Sequence, residues 1–530
     1  MSDSDPDVEP RKSGRVSAGA WVAGLLVVAG VVGTWLRIKG AQVPVWGDEM
    51  STLWIIRGHR LVDVWEIVHS DAEITPPFYF MLAWLAGKFS SAPEIIRLPA
   101  LIAGVLAIPL TYLIGVRTVG KRGATIAALI AAASPLLVYY SANARGYTLG
   151  MLMVLISTFA MLVAIEKGQR RWWVIYGLAS CLAMYSHYTM ATVLIGQLVW
   201  LLWRYPSARL PALLANVAAA ILYLPWITGF LADTNSITMP ILELLQGDGF
   251  DVKRQAVERA FFFRVDSGTE SVYSSVEFWL VAAGLLGAGA VALWRRFRIP
   301  RKTPQPAPAG DIWLILIMTF STLVIELLLL AVGTDILGTR NLAGTWIALP
   351  LLFGAILASS GPRWSVPLTL LVLAGMLVGS FRINDQEISS VPYTRAADEI
   401  NKNPDAAAIT LDYSHVTPSP IAPIKPYLDD ESKVVTVGTL PDRRDFIEQV
   451  LQPVDLVTPA TDAFAGPGPV RVLTLDSGIP PTDDSFVIPG GLPFEVPPGW
   501  RIVKQEAFPG LFTLYDTIYA RERQAESPQS

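Results

Sequence analysis

Apolar runs long enough to cross a lipid bilayer recur from about residue 17 to residue 381. A hydrocarbon core about 30 Å thick needs about 20 apolar residues per helix, and a helix satisfies every backbone N–H and C=O within its own segment. This feature excludes an ordinary soluble fold. Composition agrees: of 530 residues, 52% are hydrophobic and 16% charged, whereas soluble domains carry about a quarter charged residues. The mean hydropathy is +0.44. The formal net charge of −4 gives no basic footprint for nucleic acid. The single cysteine, Cys181, lies inside an apolar run, so no intramolecular disulfide forms and a buried structural thiol is the plain reading.

Candidate spans lie near 17–37, 96–116, 122–140, 147–165, 172–188, 189–203, 209–230, 275–294, 312–332, 342–360 and 363–381, about eleven in all. The first run is too long for a signal peptide and lacks a clear small-residue cleavage site, so it reads as an uncleaved span after a tail of residues 1–16. The apolar stretch 76–89, "PPFYFMLAWLAGKF", is short and suits an interfacial or re-entrant helix. Counting it as non-spanning puts the basic loops with Arg117, Lys121, Arg122, Lys167, Arg170, Arg171, Arg204, Arg209 and Arg295 to Lys302 on the cytoplasmic side with the tail, as the positive-inside rule requires. Residues 38–95 then form the first outer loop of a transmembrane domain spanning 17–381. From 382 to 520 prolines and polar residues rise, and "KVVTVGTL", "VRVLTL" and "LFTLYD" read as strands of a small extracytoplasmic α/β domain, followed by a frayed tail at 521–530. The fold class expected is a polytopic α-helical membrane protein with that soluble domain at its outer face.

The same topology gathers ionisable residues at one rim. Asp48 and Glu49 open the first outer loop, in "VPVWGDEM". His69, Asp71 and Glu73 precede a proline-started helix in "HSDAEITPPFYF", which also carries Tyr79. "YYSANARGYT" brings Asn143, Arg145 and Tyr147, "YSHYT" brings His187, and "GTDILGTRNLAG" brings Asp335 and Arg340. Singly, each has a bland reading: adjacent loop carboxylates are solvated, a span-end His is a hydrogen-bonded interface residue, a span-end Arg is a snorkelling anchor. Basic anchors belong mainly to the cytoplasmic side, however, and a set of carboxylates, His and Arg on one outer rim points to function.

The order of these motifs, a D-E pair after the first span, then H-x-D-x-x-x-x-P-P-x-Y, S-x-x-A-R-x-Y and a late R-N-L before a span, resembles the GT-C glycosyltransferases, on the branch of the protein O-mannosyltransferases and the lipid A aminoarabinose transferase. The likeness covers most of residues 17–381. It implies a GT-C fold, in the plasma membrane of a bacterium, that transfers a sugar from a polyprenyl-phosphate lipid to a glycan, glycolipid or protein acceptor on the extracytoplasmic face. By position it implies Asp48 as the catalytic carboxylate with Glu49 beside it, His69, Asp71 and Tyr79 in the second motif, and Arg145 and Arg340 near the donor phosphate.

The chemistry needs such groups. One carboxylate takes the acceptor's hydroxyl proton and gives inversion, and Arg forks clamp the leaving phosphate. His187 and the second-motif residues are candidates for holding acceptor or sugar. Glu49, His69 and Asp71 offer ligands for a divalent metal, at a spacing that matches no compact metal motif. No phosphate-binding Gly-rich loop is present, which disfavours a nucleotide-sugar donor. Rival classes are a transporter or lipid flippase, for which Glu326 inside a span is the one supporting residue, and a ligase or polymerase of lipid-linked glycans. A transporter would show internal repeats and charges near the bilayer midplane, and no repeat at a fixed period is visible.

Overall fold

The computed structural model describes residues 18–45, 47–70, 73–236, 249–264, 272–298, 312–385, 390–414, 421–437, 456–476, 492 and 494–522. Helix α1 (Ala18–Gly40) is followed by three nine-residue helices, α2 (Asp48–Ile56), α3 (Leu61–His69) and α4 (Phe78–Ala86). Nine helical residues rise about 14 Å, half of what a span needs, so α4 does not cross. The bundle continues with α5 (Leu98–Thr118), α6 (Gly120–Ala133), α7 (Pro135–Ser141), α8 (Tyr147–Lys167), α9 (Arg170–Ser186), α10 (Met190–Arg204), α11 (Arg209–Tyr223) and α12 (Ile227–Thr234). A polar helix, α13 (Phe250–Phe261), precedes α14 (Val276–Arg298), α15 (Ile312–Ala331), α16 (Thr345–Ser359) and α17 (Pro362–Ile383). All eleven expected segments are helical. Among the described residues eight helical stretches are long and apolar enough to cross a membrane, or nine if α6 and α7, bent by 55°, count as one broken span. Helices α9 and α10, at 17 and 15 residues, fall below that length.

The α6–α7 break follows from sequence. Ser134 caps α7 by accepting from the Leu137 amide, and Pro135 occupies the first helical position, where it needs no N–H. The break leaves the last carbonyls of α6 without partners. Arg37, the basic end of α1, fills the gap: it is 1% exposed and donates to the carbonyls of Gly33, Ala131 and Ala132 at 2.9–3.0 Å. Its Nε donates to Ser141 at 3.1 Å, and Ser380 of α17 donates to the Ala133 carbonyl at 2.7 Å. A guanidinium that reads in sequence as an interfacial anchor is here an internal pin for a kink.

The bundle has a basic end and a site end. Helices α5, α8, α10 and α14 finish at Arg117, Lys167, Arg204 and Arg295 to Arg298. The opposite end carries the turn after α1, helices α2–α4, the α7–α8 and α9–α10 corners and the α15–α16 turn. It also carries the end of α17, where Asn384 donates to the Leu36 carbonyl at 2.9 Å.

Beyond α17 lies a five-stranded sheet of β1 (Ile409–Tyr413), β2 (Val434–Thr436), β3 (Val470–Asp476), β4 (Trp500–Phe508) and β5 (Thr513–Arg521), in the order β2-β1-β3-β5-β4. Strand β1 runs parallel to β2 and β3, and β5 antiparallel to β3 and β4. Central β3 is buried on both faces: Leu473 and Leu475 pack under α18 (Tyr393–Lys402), Val470 and Val472 under α19 (Thr458–Ala465). Edge strand β4 is mostly exposed and charged. The three strand-like runs of the sequence fall on β2, β3 and the start of β5.

Candidate active site

Helix α2 begins where the sequence places its acidic pair, and the helical turn separates the two carboxylates. Glu49, Thr52, Leu53 and Ile56 share the i, i+3, i+4, i+7 spacing of one helix face, and all four are buried. Asp48 lies off that face. Its side chain is 59% exposed and its Oδ2 is 3.2 Å from Nη1 of Arg340, 31% exposed. Arg340 stands 292 positions later, at the start of the 3-10 turn leading into α16.

Glu49 is a different kind of carboxylate. Arg97, from the 3-10 turn Pro93–Arg97, grips it as a fork, with Nε on Oε1 at 2.8 Å and Nη2 on Oε2, and both side chains are buried. The Ala144 amide donates to the same Oε1 at 2.7 Å, and Thr52 donates to the Ala144 carbonyl at 2.9 Å. Arg97 also donates to the carbonyls of Ala41, Val43 and Pro44. The sequence expectation sets Glu49 beside Asp48 as a catalytic or metal-binding partner; the structure pairs it with Arg97. Its oxygens are committed to Arg97 and Ala144, and the pair ties α2, the turn after α1 and the α7–α8 corner into one unit.

That corner delivers Arg145. Its fork meets Glu73 in two 2.8 Å hydrogen bonds, Nη1 to Oε2 and Nη2 to Oε1. Glu73 also accepts from the Ile74 amide and the Thr75 hydroxyl. Burial works against the Arg145 charge, but the Glu73 carboxylate overrides it, and the guanidinium pKa ends above its usual range. Phe80 lies 5.7 Å below the guanidinium. Glu73 stood in the quoted motif without a role, and its partner is the residue that gives it one.

Next to Arg145, Gly146 allows α8 to start against the end of α9. A Cβ there would come within 2.1 Å of the Ser186 carbonyl. The close approach brings the Tyr147 ring to 4.3 Å from His187, with Tyr140 at 4.9 Å from Tyr147 and Trp346 at 4.8 Å from Tyr140. His187 is fixed through Nδ1, 2.9 Å from the Thr189 hydroxyl, and lies in electrostatic reach of both Arg145 and Arg340. Tyr147 lies in reach of Arg340, Arg145 and Asp48. These five residues, from four chain segments, form the candidate site.

The other expected residues go elsewhere. Tyr79, for which the sequence expectation is sugar binding, is 1% exposed, donates to the Ile96 carbonyl at 2.8 Å and packs in the core cluster that holds α4. His69 ends α3, sits edge-on to Trp226 at 5.2 Å and has Nε2 3.3 Å from the Thr228 hydroxyl. Asp71 lies outside the described residues. The metal ligand set does not assemble as expected, because Glu49 and His69 have separate protein partners. Among the described residues no three His, Cys, Asp or Glu side chains gather into a metal site.

Sequence reasoning also missed the brace of Arg340. Lys253 of α13 lies 2.7 Å from Asp335 and donates to the Leu337 carbonyl at 3.2 Å. Asp335 accepts from the Leu337 amide at 3.1 Å, and Asn341 donates back to the Ile336 carbonyl at 2.6 Å. The turn that presents Arg340 is thus closed on itself and pinned to α13.

Residues 75–228, from α4 to the start of α12, match the family model described as dolichyl-phosphate-mannose-protein mannosyltransferase. The matched segment holds Arg97, Arg145 and His187. That segment is similar to this family and makes up less than a third of the chain. No curated protein matches this chain in sequence. Among solved structures it is similar to the Archaeoglobus fulgidus oligosaccharyltransferase AglB in complex with an inhibitory peptide and a dolichol-phosphate, at 17% identity and TM-score 0.43, over 73% of this chain and 58% of that one. It is similar to ArnT from Cupriavidus metallidurans bound to undecaprenyl phosphate, at 16% identity and TM-score 0.38, over 97% and 100% of the two chains. It is also similar to the arabinofuranosyltransferase AftD from Mycobacteria, at 14% identity and TM-score 0.43, over 96% and 42%. The chain spans 58% of the archaeal enzyme's length.

Proposed function

We propose that this chain is a GT-C-type glycosyltransferase that transfers a sugar, mannose or a similar hexose or pentose, from a polyprenyl-phosphate donor to a glycan, glycolipid or protein of the cell envelope, with inversion. The observation that carries the proposal is the ion pair of Asp48 and Arg340 at 3.2 Å, an accessible carboxylate and an accessible cation side by side at one end of the bundle. The description of the family matched by residues 75–228 supports a lipid-phosphate sugar donor.

In this reading Asp48 is the general base, and Arg340 is the phosphate clamp with Arg145 behind it. Before donor binds, Asp48 and Arg340 neutralise each other. A donor phosphate competes for the Arg340 fork, which suits phosphate geometry. Its withdrawal leaves the Asp48 carboxylate free to meet the acceptor hydroxyl, as a base requires. The acceptor oxygen attacks the anomeric carbon opposite the phosphate, and its proton passes to Asp48. The bond from that carbon to the phosphate oxygen breaks, and its electron pair leaves with polyprenyl phosphate. Arg340 and Arg145 meet the charge that grows there. Glu73 holds Arg145 in place, and His187 and Tyr147 lie within electrostatic reach of both guanidiniums.

Basic residues collect at the far end of the bundle, which the positive-inside rule assigns to the cytoplasm. The site, with the domain of residues 382–520, is then extracytoplasmic, and the phosphate of a lipid donor lies at headgroup level beside it.

The test is acceptor-dependent release of polyprenyl phosphate by the purified chain supplied with polyprenyl-phosphate-mannose and a cell-envelope extract. Release with sugar appearing on the acceptor is expected. Lipid movement across liposomes without release would replace this reading with a flippase.

A further inference from the structure

The helix that begins at Asp48 is held from outside the bundle. The Val45 amide, three residues before Asp48, donates to the Tyr427 hydroxyl at 2.5 Å. Arg57, one residue past the end of α2, donates to Glu431 at 3.0 Å. Ile421 packs against the apolar cluster that contains Val45, Met50 and Leu53. All three contacting residues come from one stretch of the C-terminal domain.

That stretch is itself latched to the sheet domain. Tyr427 ends the 3-10 turn Lys425–Tyr427. Asn401 of α18 donates to the Tyr427 carbonyl at 3.1 Å and accepts from the Asp429 amide at 3.1 Å. On the bundle side, Arg97 holds the carbonyls of Val43 and Pro44. The turn into α2 therefore has its carbonyls tied to the membrane domain and its Val45 amide tied to the C-terminal domain. Only Gly47, at φ 58°, lies between that turn and Asp48 among the described residues. Catalytic geometry tolerates little slack: misplacement by about 1 Å can cost about a hundredfold in rate.

We infer that the C-terminal domain is a working part of the transfer site, and that Tyr427, latched by Asn401, is a positioning residue that sets the Asp48 carboxylate against the donor. The inference rests on the reading of Asp48 as the base. Arg57–Glu431 contributes little beside it, because both side chains are about half exposed and such pairs are weak.

The test compares the full chain with Tyr427→Phe, Asn401→Ala and Glu431→Gln in nanodiscs, by hydrogen exchange and by transfer kinetics. A lost neutral hydrogen bond corresponds to about a two- to tenfold change. Tyr427→Phe should exchange faster by that factor in the peptide covering residues 41–50, with no change in peptides of α8. Its kcat should fall about two- to tenfold while the donor KM stays within about twofold. Asn401→Ala should shift both in the same direction, and Glu431→Gln should shift neither. Unchanged exchange at 41–50 in Tyr427→Phe overturns the inference whatever the activity. Faster exchange with unchanged kcat overturns it too, since Tyr427 would then only pack. No transfer by the unaltered chain would instead count against the transferase reading, and the exchange arm would still decide whether Tyr427 governs the turn.

Discussion

Asp48 and Arg340 meet at 3.2 Å across 292 positions of sequence, and each is the other's counter-ion at the open end of the bundle. In the proposed reaction Arg340 has two competing partners, Asp48 and the donor phosphate. Replacing it by Ala removes a charge-assisted hydrogen bond that is typically worth about 1.5–3 kcal/mol, or roughly ten- to a hundredfold in affinity. Arg340→Ala should weaken polyprenyl-phosphate-sugar binding by that factor, and Arg340→Lys should recover part of it, keeping charge without the fork. Equilibrium binding of labelled donor checks this; wild-type affinity in Arg340→Ala would take Arg340 out of the site.

Glu49 and Arg97 should report on folding, not on donor affinity. Breaking a buried ion pair by removing one partner costs about 3–5 kcal/mol. Glu49→Gln and Arg97→Met should each lower the thermal midpoint sharply. The double variant Glu49→Leu with Arg97→Met should recover part of the loss, because no charge is stranded. Thermal unfolding in detergent measures all three, and a Glu49→Gln protein with an unchanged midpoint would contradict the assignment.

The brace under Arg340 gives a milder effect. Asp335→Asn leaves Lys253 without its ion pair while keeping the acceptor for the Leu337 amide. Donor Kd should rise about three- to tenfold, the range of one hydrogen bond to a charged group or somewhat less, with the fold intact. Double substitution of Asp335→Asn with Arg340→Ala should add little to Arg340→Ala alone, since the brace acts through Arg340. Additive losses would show a separate role.

Glu326 separates the transferase from a transporter. It is fully buried in α15, and neither carboxylate oxygen has a hydrogen-bond partner among the described residues. A buried polar group without a partner is destabilising. Glu326→Met should therefore raise the thermal midpoint and leave transfer within about twofold. Loss of activity in a stable Glu326→Met protein would point to a charge used in transport.

Much of this was legible in the sequence. The span helices follow from hydropathy alone, because lipid leaves the backbone no alternative to a helix. Asp48, Arg145, His187 and Arg340 were all marked by ionisable side chains at span ends. The fate of Glu49 was also written locally, in its i+3, i+4, i+7 relation to Thr52, Leu53 and Ile56, and became readable once α2 was seen to be a helix. Arg97, Glu73, Lys253 and Tyr427 left no such trace. Each acts through a partner from a distant segment, and a lone charged or aromatic residue looks the same in sequence whether it is solvated or paired. Strand β1 was missed because Ile409–Tyr413 is a run of only five residues that includes Asp412, and β4 because an exposed edge strand carries Arg501, Lys504 and Glu506 in place of an apolar pattern.

The central claim is that Asp48 takes the acceptor proton. Asp48→Asn keeps the size and much of the hydrogen bonding of the side chain and cannot accept that proton. It also frees Arg340 from its ion pair, so donor binding should hold or tighten. Single-turnover transfer by purified Asp48→Asn in nanodiscs, with donor binding measured in parallel, is the most direct test. The account predicts a loss of about 10²–10⁴-fold in the transfer step with donor affinity at least that of the unaltered chain. Near-wild-type transfer by Asp48→Asn, or a lost transfer explained wholly by lost donor binding, would contradict it.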